Sequence, residues 1–230
     1  NINSDRLIQM MNVENDVLVI EEKGIYSVEK FLVARRLMYW QAYLHKTSVV
    51  AELILTKILK RAKELTQKGV VLPCSESLQF FMQNKILLIN FDKNTLDKFS
   101  FLDDYDVMGA IKSWQFNDDY VLQNLCRMIL NRDLLKIQIT EDKPNKERLL
   151  DLKNKFIKKV NISEKEADYF VFKGKLKNQA YSKSSEPIYI LKKDKSVEDV
   201  VEVSDQMYLK ALSKEVTKYY ICFPKVVLES

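Results

Sequence analysis

The sequence predicts a mostly α-helical protein with a small C-terminal α+β subdomain. Up to Arg132, apolar residues recur at three- and four-residue steps, which is the spacing of amphipathic helices. Beyond that point, aromatic-rich stretches typical of strands alternate with helical ones. We therefore expect two domains, a helical one over residues 1–132 and an α+β one over residues 133–230.

The N-terminal elements follow from capping and turn signals. Residues 3–13 are predicted to form a short helix, and residues 16–24 a strand that ends in a turn. A long helix is predicted over residues 28–67, capped by Ser27 and ended before Gly69. Its apolar stripe is predicted to consist of Phe31, Met38, Ala42, Val49 and Leu53.

The remaining elements are shorter. Helices joined by acidic turns are predicted over residues 77–85, 95–102, 106–115 and 118–132. The pairs Asp103-Asp104 and Asp118-Asp119 are expected at helix starts, where carboxylates favour the helix dipole. Strands are then predicted over residues 134–140, 168–176, 187–193 and 219–224, with helices over 145–160 and 204–214. This order of strands and helices is typical of a ferredoxin-like unit.

Composition and charge limit the possible functions. The net charge is +5, and residues 143–195 carry 15 Lys and Arg against 7 Asp and Glu. Such a segment can bind polyanions, or it can be a solvated helix face because acidic residues interrupt it. No apolar run approaches the roughly 18 residues of a membrane helix. Three widely spaced cysteines give no zinc motif, and we expect them to be reduced and buried in a cytoplasmic protein.

The stretch ARRLMYWQAYLHK is the strongest candidate for a ligand site. At 100° per residue, Arg35, Tyr39, Tyr43 and Lys46 share one face of the predicted long helix. Arginine and lysine bind phosphate oxygens, and tyrosine offers a flat face for a base or sugar. The pattern suits a nucleotide, although the same residue types also line ordinary helix–helix contacts.

A longer stretch around these residues carries a family resemblance. The segment EEKGIYSVEKFLVARRLMYWQAYLHK resembles the part of HD-domain phosphohydrolases that follows their last metal-binding Asp. This group is similar to bacterial and vertebrate deoxynucleoside triphosphate triphosphohydrolases. The stretches ADYFVFKG, NQAYS and KYYICFPK resemble the C-terminal region of the bacterial group. The resemblance spans essentially the whole chain and is most specific over residues 20–60. It implies that the helical part belongs to an HD-type fold and that the protein forms a homo-oligomer.

The resemblance also implies roles for single residues in substrate binding. Arg35 matches an arginine that contacts the substrate phosphates. Tyr43 matches a tyrosine that packs beside the substrate sugar and base. Tyr39 stands where the vertebrate relatives place a histidine near the phosphates. The implied substrate is a (deoxy)nucleoside triphosphate.

A second set of residues is implied in binding a regulatory nucleotide between subunits. His45 and Lys46 match a His-Lys step that touches an activating nucleotide in the vertebrate branch. Arg6 and Lys23 match further basic residues of that pocket. Glu21 departs from the pattern, because it replaces an arginine and its carboxylate repels phosphate.

The metal ligands that give the family its name are missing from this sequence. The family uses a His, an adjacent His-Asp pair and a later Asp, whereas this chain has one His and no His-Asp dipeptide. We therefore predict no catalytic residue and no metal ligand in this chain. We expect it to be the C-terminal portion of a longer enzyme that binds Mn, Mg or Fe upstream, and to be inactive alone.

A different class of function remains open. The chain can be a non-catalytic module that binds nucleic acid or a partner protein through its basic C-terminal segment. Aromatic residues interleaved with lysines are typical of platforms on which single-stranded bases stack. The candidate rings are Tyr169, Phe170, Phe172 and Tyr181.

Overall fold

The computed structural model describes residues 3–205 and 214–228 of the 230-residue chain. The described helices are α1 (Ser4–Gln9), α2 (Ile25–Met38), α3 (Lys46–Gln67), α4 (Glu76–Gln83), α5 (Lys93–Ser100), α6 (Asp104–Trp114), α7 (Tyr120–Leu130), α8 (Lys146–Val160), α9 (Glu164–Ala167) and α10 (Val200–Val203). The described strands are β1 (Met11–Glu14), β2 (Val17–Glu21), β3 (Lys136–Thr140), β4 (Phe172–Asn178), β5 (Tyr189–Leu191), β6 (Val197–Asp199) and β7 (Val216–Phe223). About half of the chain is helical, and the strands form two small sheets, so the fold is an α+β arrangement.

Two compact units share the chain, and each is built from separate stretches of it. The first unit comprises residues 1–45, 140–143 and 174–219, and the second unit comprises residues 46–139, 144–173 and 220–230. The sequence analysis divides the chain once, after residue 132, whereas these units interleave along it.

The first unit begins with a helix and a β-hairpin. The helix predicted over residues 3–13 ends at Gln9, because β1 follows it and pairs antiparallel with β2. Asn15 and Asp16 connect the two strands with φ values of 51° and 60°. Positive φ at both central residues is typical of a type I′ turn, which matches the twist of a hairpin. The Asn-Asp pair was therefore a hairpin signal just after the predicted helix, whose last residues belong to β1.

The strands predicted for a single C-terminal sheet are divided between two sheets. Strand β5 pairs in parallel with β2, in the order β1-β2-β5-β6. The other sheet has the order β3-β7-β4. A ferredoxin-like unit is therefore not confirmed, because its third predicted strand pairs with an N-terminal strand instead. The helix predicted over residues 204–214 lies almost wholly outside the described residues.

The predicted long helix is interrupted in its middle. Helix α2 ends at Met38, a π turn covers Tyr39–Tyr43, and α3 begins at Lys46. The Leu44 N–H donates a 2.7 Å hydrogen bond to the Tyr39 carbonyl, which is the i→i−5 bond of a π turn. The helical phase therefore changes within residues 28–67. The spacing of 100° per residue does not hold across the π turn, so the predicted shared face has to be judged from the observed contacts.

The start of α2 also differs from the prediction. The helix begins at Ile25, so Ser27 lies inside it and is not its cap. A short 3₁₀ turn, Glu22–Gly24, leads into it. A Cβ added to Gly24 would lie 2.6 Å from the Ile20 side chain and 3.0 Å from that of Met10. Glycine is required there because the helix start passes close to the hairpin.

Helix α2 packs on the sheet of the first unit through a different face from the predicted one. Val28 and Leu32 are buried against Ile20, Ile190 and Val200. From the predicted stripe, Phe31, Met38 and Ala42 are exposed. The prediction was wrong in α2 because it assumed one phase for α2 and α3, and the π turn shifts that phase.

The second unit is a helical bundle around α3. Ile54, Ile58 and Ala62 are fully buried at four-residue steps, and α3 packs against α7. Its C-terminal end is as predicted, since Gly69 follows with φ of 88°, a value that favours glycine. Asp103 and Asp119 cap α6 and α7, which confirms that the acidic pairs lie at helix starts.

Candidate nucleotide-binding site

Arg35 lies in the last turn of α2, between an aromatic ring and a carboxylate. Its guanidinium carbon is 5.7 Å from the centre of the Tyr39 ring, within the range of a cation–π contact. One of its terminal nitrogens is 3.9 Å from the Glu186 carboxylate. The Arg35 side chain is 34% exposed and that of Glu186 77% exposed. Exposed ion pairs at such distances contribute about 0–1 kcal/mol, so Arg35 is only weakly engaged.

Tyr39 and Tyr43 extend this group along the π turn. Their ring centres are 5.1 Å apart and the ring planes are inclined by 47°. Tyr39 is half-buried between Arg35 and Tyr43, and Tyr43 is exposed. The structure thus brings together the three predicted substrate-binding residues, Arg35, Tyr39 and Tyr43, as one guanidinium followed by two rings. A π turn inside helical structure is frequently found at functional sites.

A polar cavity of about 430 Å³ lies beside Arg35 in the first unit. Its volume falls within the range typical of small-molecule sites. The residues that line it are Arg35, Gln179, Ala180, Tyr181, Ser182, Ser185, Glu186, Pro187 and Ile188. Of these residues, the sequence predicted Arg35 as a substrate-binding residue and Tyr181 as a base-stacking ring, and the others were missed. Residues 182–187 form a loop in this lining, and nothing in the sequence predicted that the loop lies against α2.

One buried phenol fixes both ends of this loop. The Tyr181 hydroxyl donates to the Asp199 carboxylate and accepts a 3.0 Å hydrogen bond from the Ile188 N–H. Within the loop, the Glu186 N–H donates to the Ser182 carbonyl over 3.0 Å. Burial raises the pKa of the Tyr181 phenol, and its hydrogen bond to Asp199 acts in the same direction. The neutral phenol therefore persists at physiological pH and holds the loop in place.

The residues predicted for a regulatory nucleotide lie on separate elements. Arg6 is exposed in α1, and Lys23 is exposed in the 3₁₀ turn that precedes α2. His45 is exposed in the turn after the π turn. Lys46 opens α3 and belongs to the second unit, so it is described apart from the other three.

Lys23 lines a shallow depression of about 240 Å³ in the first unit. The other residues that line it are Glu21, Glu22, Leu191, Lys192 and Lys193. Carboxylates and ammonium groups are therefore mixed in this depression. Glu21, which replaces an arginine of the family pattern, lies on the same surface as Lys23, where its charge opposes anion binding.

Among residues 3–205 and 214–228, no group of three or more His, Cys, Asp or Glu side chains is placed to hold a metal ion. The divalent metal implied by the family resemblance thus does not fit these residues. None of the described helices combines the length and apolar character needed to cross a bilayer.

The aromatic rings proposed as a stacking platform for nucleic acid are in the protein interior. Tyr169, Phe170 and Tyr181 are buried, so none of them offers a free face to a base. Phe172 is half-buried, and the Lys57 ammonium lies 4.1 Å from the centre of its ring. Three of the four proposed rings are therefore core residues, which removes the main support for the nucleic-acid hypothesis.

Comparisons with known proteins bear on the same residues. A family model described as an HD associated region matches residues 2–71, which include α1, the hairpin, Arg35 and both tyrosines. A phosphohydrolase from Bacteroides thetaiotaomicron has a similar structure, with a TM-score of 0.86 and 41% identity over 97% of this chain. The matches support an HD-related family.

Two further relatives extend the comparison. YwfO, an uncharacterized protein of Bacillus subtilis, is 36% identical over 143 residues, or 62% of this chain. A hypothetical protein from Aquifex aeolicus has a TM-score of 0.59 at 21% identity, which shows a similar fold alone. The chain spans 31% of the length of YwfO, 56% of the Bacteroides protein and 49% of the Aquifex protein.

Proposed function

We propose that this chain is the substrate-binding portion of an HD-type phosphohydrolase that acts on nucleoside triphosphates, deoxynucleotides included. The observation that carries the proposal is the group formed by Arg35, Tyr39 and Tyr43 beside a polar cavity. It combines a cation for phosphate with flat rings for a sugar or base. The match to an HD associated region over the same residues supports the assignment.

Each of the three side chains has a distinct part in the proposed site. Arg35 presents a planar fork of N–H donors that suits phosphate oxygens, and its long, exposed pair with Glu186 can be displaced by phosphate. Tyr39 packs against Arg35 and limits its side-chain freedom. Tyr43 is exposed and presents its ring to the sugar or base of the nucleotide.

The catalytic step is assigned to residues outside this chain. No cluster of the described residues fits a metal ion, and the relatives are much longer than the chain. In the proposal, a divalent metal in the longer protein supplies the hydrolytic chemistry. The chain itself binds and orients the nucleotide without cleaving it.

The regulatory residues form a second part of the proposal. Arg6, Lys23 and Lys46 contribute cations, and His45 an imidazole, to a nucleotide site that is completed by a second copy of the protein. The carboxylate of Glu21 weakens that site for phosphate relative to the vertebrate pattern. Assembly into a homo-oligomer is part of the same proposal.

Binding by the isolated chain tests the proposal directly. Calorimetric titration of the 230-residue chain with dATP and with neutral deoxyadenosine separates phosphate recognition from ring recognition. Arg35→Ala is expected to weaken dATP binding about 10- to 100-fold, because charge-assisted hydrogen bonds to phosphate are lost, and to leave deoxyadenosine binding nearly unchanged.

The matched control removes the same charge from the next residue of α2. Arg36→Ala is expected to change dATP affinity by about twofold or less. Equal losses in the two variants indicate a general charge effect, and an unchanged affinity in Arg35→Ala refutes the proposed site. Tyr43→Ala adds a second check, since it is expected to weaken both dATP and deoxyadenosine.

A further inference from the structure

The loop formed by residues 182–187 places a carboxylate against the cation that the proposed function assigns to phosphate. Glu186 lies 3.9 Å from the Arg35 guanidinium and lines the same cavity. A carboxylate in that place repels a polyphosphate that approaches Arg35. A purely structural ion pair gains from burial and bidentate geometry, whereas this pair is long and exposed.

Hydrogen bonds and a salt bridge made by Tyr181 and Lys183 keep the loop, and with it Glu186, near Arg35. Tyr181, which precedes the loop, is buried, and its hydroxyl donates to Asp199. The same hydroxyl accepts a hydrogen bond from the N–H of Ile188, which follows the loop. Lys183 is tied to Glu202 by a 2.9 Å salt bridge. The loop is thus closed by contacts that do not involve Arg35, so the Arg35–Glu186 pair can open while the loop stays anchored.

We infer that Glu186 is an internal competitor for phosphate: its carboxylate occupies Arg35 in the free protein and is displaced when a polyphosphate binds. The inference rests on the proposed function, and it names Glu186 as a residue that sets the affinity threshold of that site. A polyphosphate carries several negative charges and displaces the single carboxylate, whereas a neutral nucleoside or a weakly charged anion does not.

The neighbouring hydroxyls complete the cavity that opens when the pair separates. Ser182 and Ser185 line it on the loop side, and hydroxyl groups donate hydrogen bonds to phosphate or sugar oxygens. The Ser182 hydroxyl lies 3.1 Å from that of Ser184, so the loop already holds a short row of hydroxyl groups. The phosphate chain would thus be held between Arg35 on α2 and the serines of the loop.

The deciding experiment measures affinity for inorganic tripolyphosphate and for dATP in the 230-residue chain, with Glu186→Gln as the variant. Removal of the competing carboxylate is expected to tighten both ligands about three- to fivefold at low salt. The gain should shrink in 0.5 M NaCl, because charge interactions at exposed sites are screened there. Affinity for neutral deoxyadenosine should stay the same.

Glu215→Gln is the matched control, because Glu215 is also an exposed carboxylate of the first unit and pairs with Lys177 instead of Arg35. An equal gain in the two variants reduces the effect to net charge and overturns the inference. An unchanged or weaker affinity in Glu186→Gln overturns it as well. If Arg35→Ala leaves polyphosphate affinity intact, the proposed function fails. If Arg35→Ala loses affinity and Glu186→Gln gains none, only the role of Glu186 fails.

Discussion

Two arginines of this protein have similar partners and opposite surroundings. Arg35, in the first unit, has a tyrosine ring 5.7 Å away and a carboxylate 3.9 Å away. Arg61, in the second unit, has the Tyr169 ring 5.6 Å away and forms two hydrogen bonds with Asp119, of 3.0 and 2.6 Å. The Arg61 and Asp119 side chains are only 14% and 15% exposed.

Only one of these two arginines is accessible to a ligand. The Arg61 fork is satisfied by both Asp119 oxygens, and Glu64 adds a further contact of 3.4 Å. A phosphate would have to break a bidentate, partly buried pair to reach it. Arg35 faces a polar cavity and holds one exposed partner at long distance. The residue types alone do not separate the two cases; distance and burial do.

The largest expected effect separates the two arginines by stability. Arg61→Ala leaves Asp119 charged without its partner, which is expected to lower the free energy of unfolding by about 3 kcal/mol. Arg35→Ala is expected to lower it by less than about 1 kcal/mol, because its pair with Glu186 is exposed. Urea denaturation followed by circular dichroism measures both values.

A larger loss of stability in Arg35→Ala than in Arg61→Ala would contradict this distinction. A large loss of stability in Arg35→Ala would make that residue structural, and its effect on nucleotide binding would then follow from unfolding. Arg61→Lys serves as the intermediate variant, because it keeps the charge and loses the planar fork. It is expected to fall between wild type and Arg61→Ala.

The pH dependence of stability provides a second test of the Arg61–Asp119 pair. Burial by itself raises the pKa of Asp119, but hydrogen bonds from Arg61 and from the Leu122 N–H outweigh it, so the pKa is lowered from its ordinary value of 3.8. A carboxyl with a depressed pKa contributes stability above its unfolded pKa and loses it as pH falls through the folded pKa. The second unit is therefore expected to lose this contribution below about pH 4.

Asp119→Asn isolates the charge, because asparagine caps a helix as well as aspartate does. The variant is expected to be about 2 kcal/mol less stable than wild type at pH 7, and the difference should shrink towards pH 2. Glu186→Gln is the control from the exposed Arg35 pair, and it is expected to change the free energy of unfolding at pH 7 by less than about 1 kcal/mol. A constant difference from pH 7 to pH 2 in Asp119→Asn contradicts the assignment.

The candidate site was predictable only in part, for a physical reason. Arg35, Tyr39 and Tyr43 are close in sequence, so helical spacing brought them together even though the π turn changed the spacing. Glu186 and Tyr181 are distant in sequence from α2. Their approach depends on the pairing of β5 with β2, which carries the loop to the first unit. Local patterns do not encode that pairing.

The same distinction applies to the fold. The short helices and the caps at Asp103 and Asp119 were predicted because capping is a local interaction. Five of the seven described strands were predicted, whereas β1 and β6 were not. The division of the strands between two sheets was also missed, since it depends on long-range pairing. The hairpin at Asn15-Asp16 was missed although its turn signal is local. Helical spacing of the flanking apolar residues outweighed that signal.

The smallest expected effect concerns Lys57, which, like Arg61, lies near the Tyr169 ring. Its ammonium donates a 2.7 Å hydrogen bond to the Asp168 carbonyl and lies 5.4 Å from the Tyr169 ring centre. Burial, reinforced by the charge of Lys60, lowers the pKa of Lys57 from 10.5 to about 8. The same kind of burial that strengthens the Arg61–Asp119 pair therefore destabilises the protonated form of Lys57, which is hydrogen-bonded to a neutral carbonyl.

The sign of the pH effect follows from proton binding. Between about pH 8 and pH 10.5 the unfolded chain holds the Lys57 proton and the folded chain does not, so stability rises with pH through this window. Cys222 opposes it, because burial raises the pKa of that thiol from 9.0 to about 12. Comparing wild type with Lys57→Met measures the total effect of the ammonium, which includes its smaller lowering of the Cys222 pKa.

Lys57→Met keeps an apolar chain over the Phe172 ring and removes the amine. At pH 7 it is expected to be more stable than wild type by about 1 kcal/mol, a value reduced for the partial exposure of the side chain. The advantage should disappear by about pH 10, where folded wild type carries a neutral amine. Lys60→Met, which removes the charge that reinforces the lowered pKa of Lys57, should show the same trend at a smaller size. If the advantage of Lys57→Met does not depend on pH, burial does not destabilise the Lys57 ammonium. Lys57 beside Tyr169 would then resemble Arg35 beside Tyr39, whose surroundings are exposed.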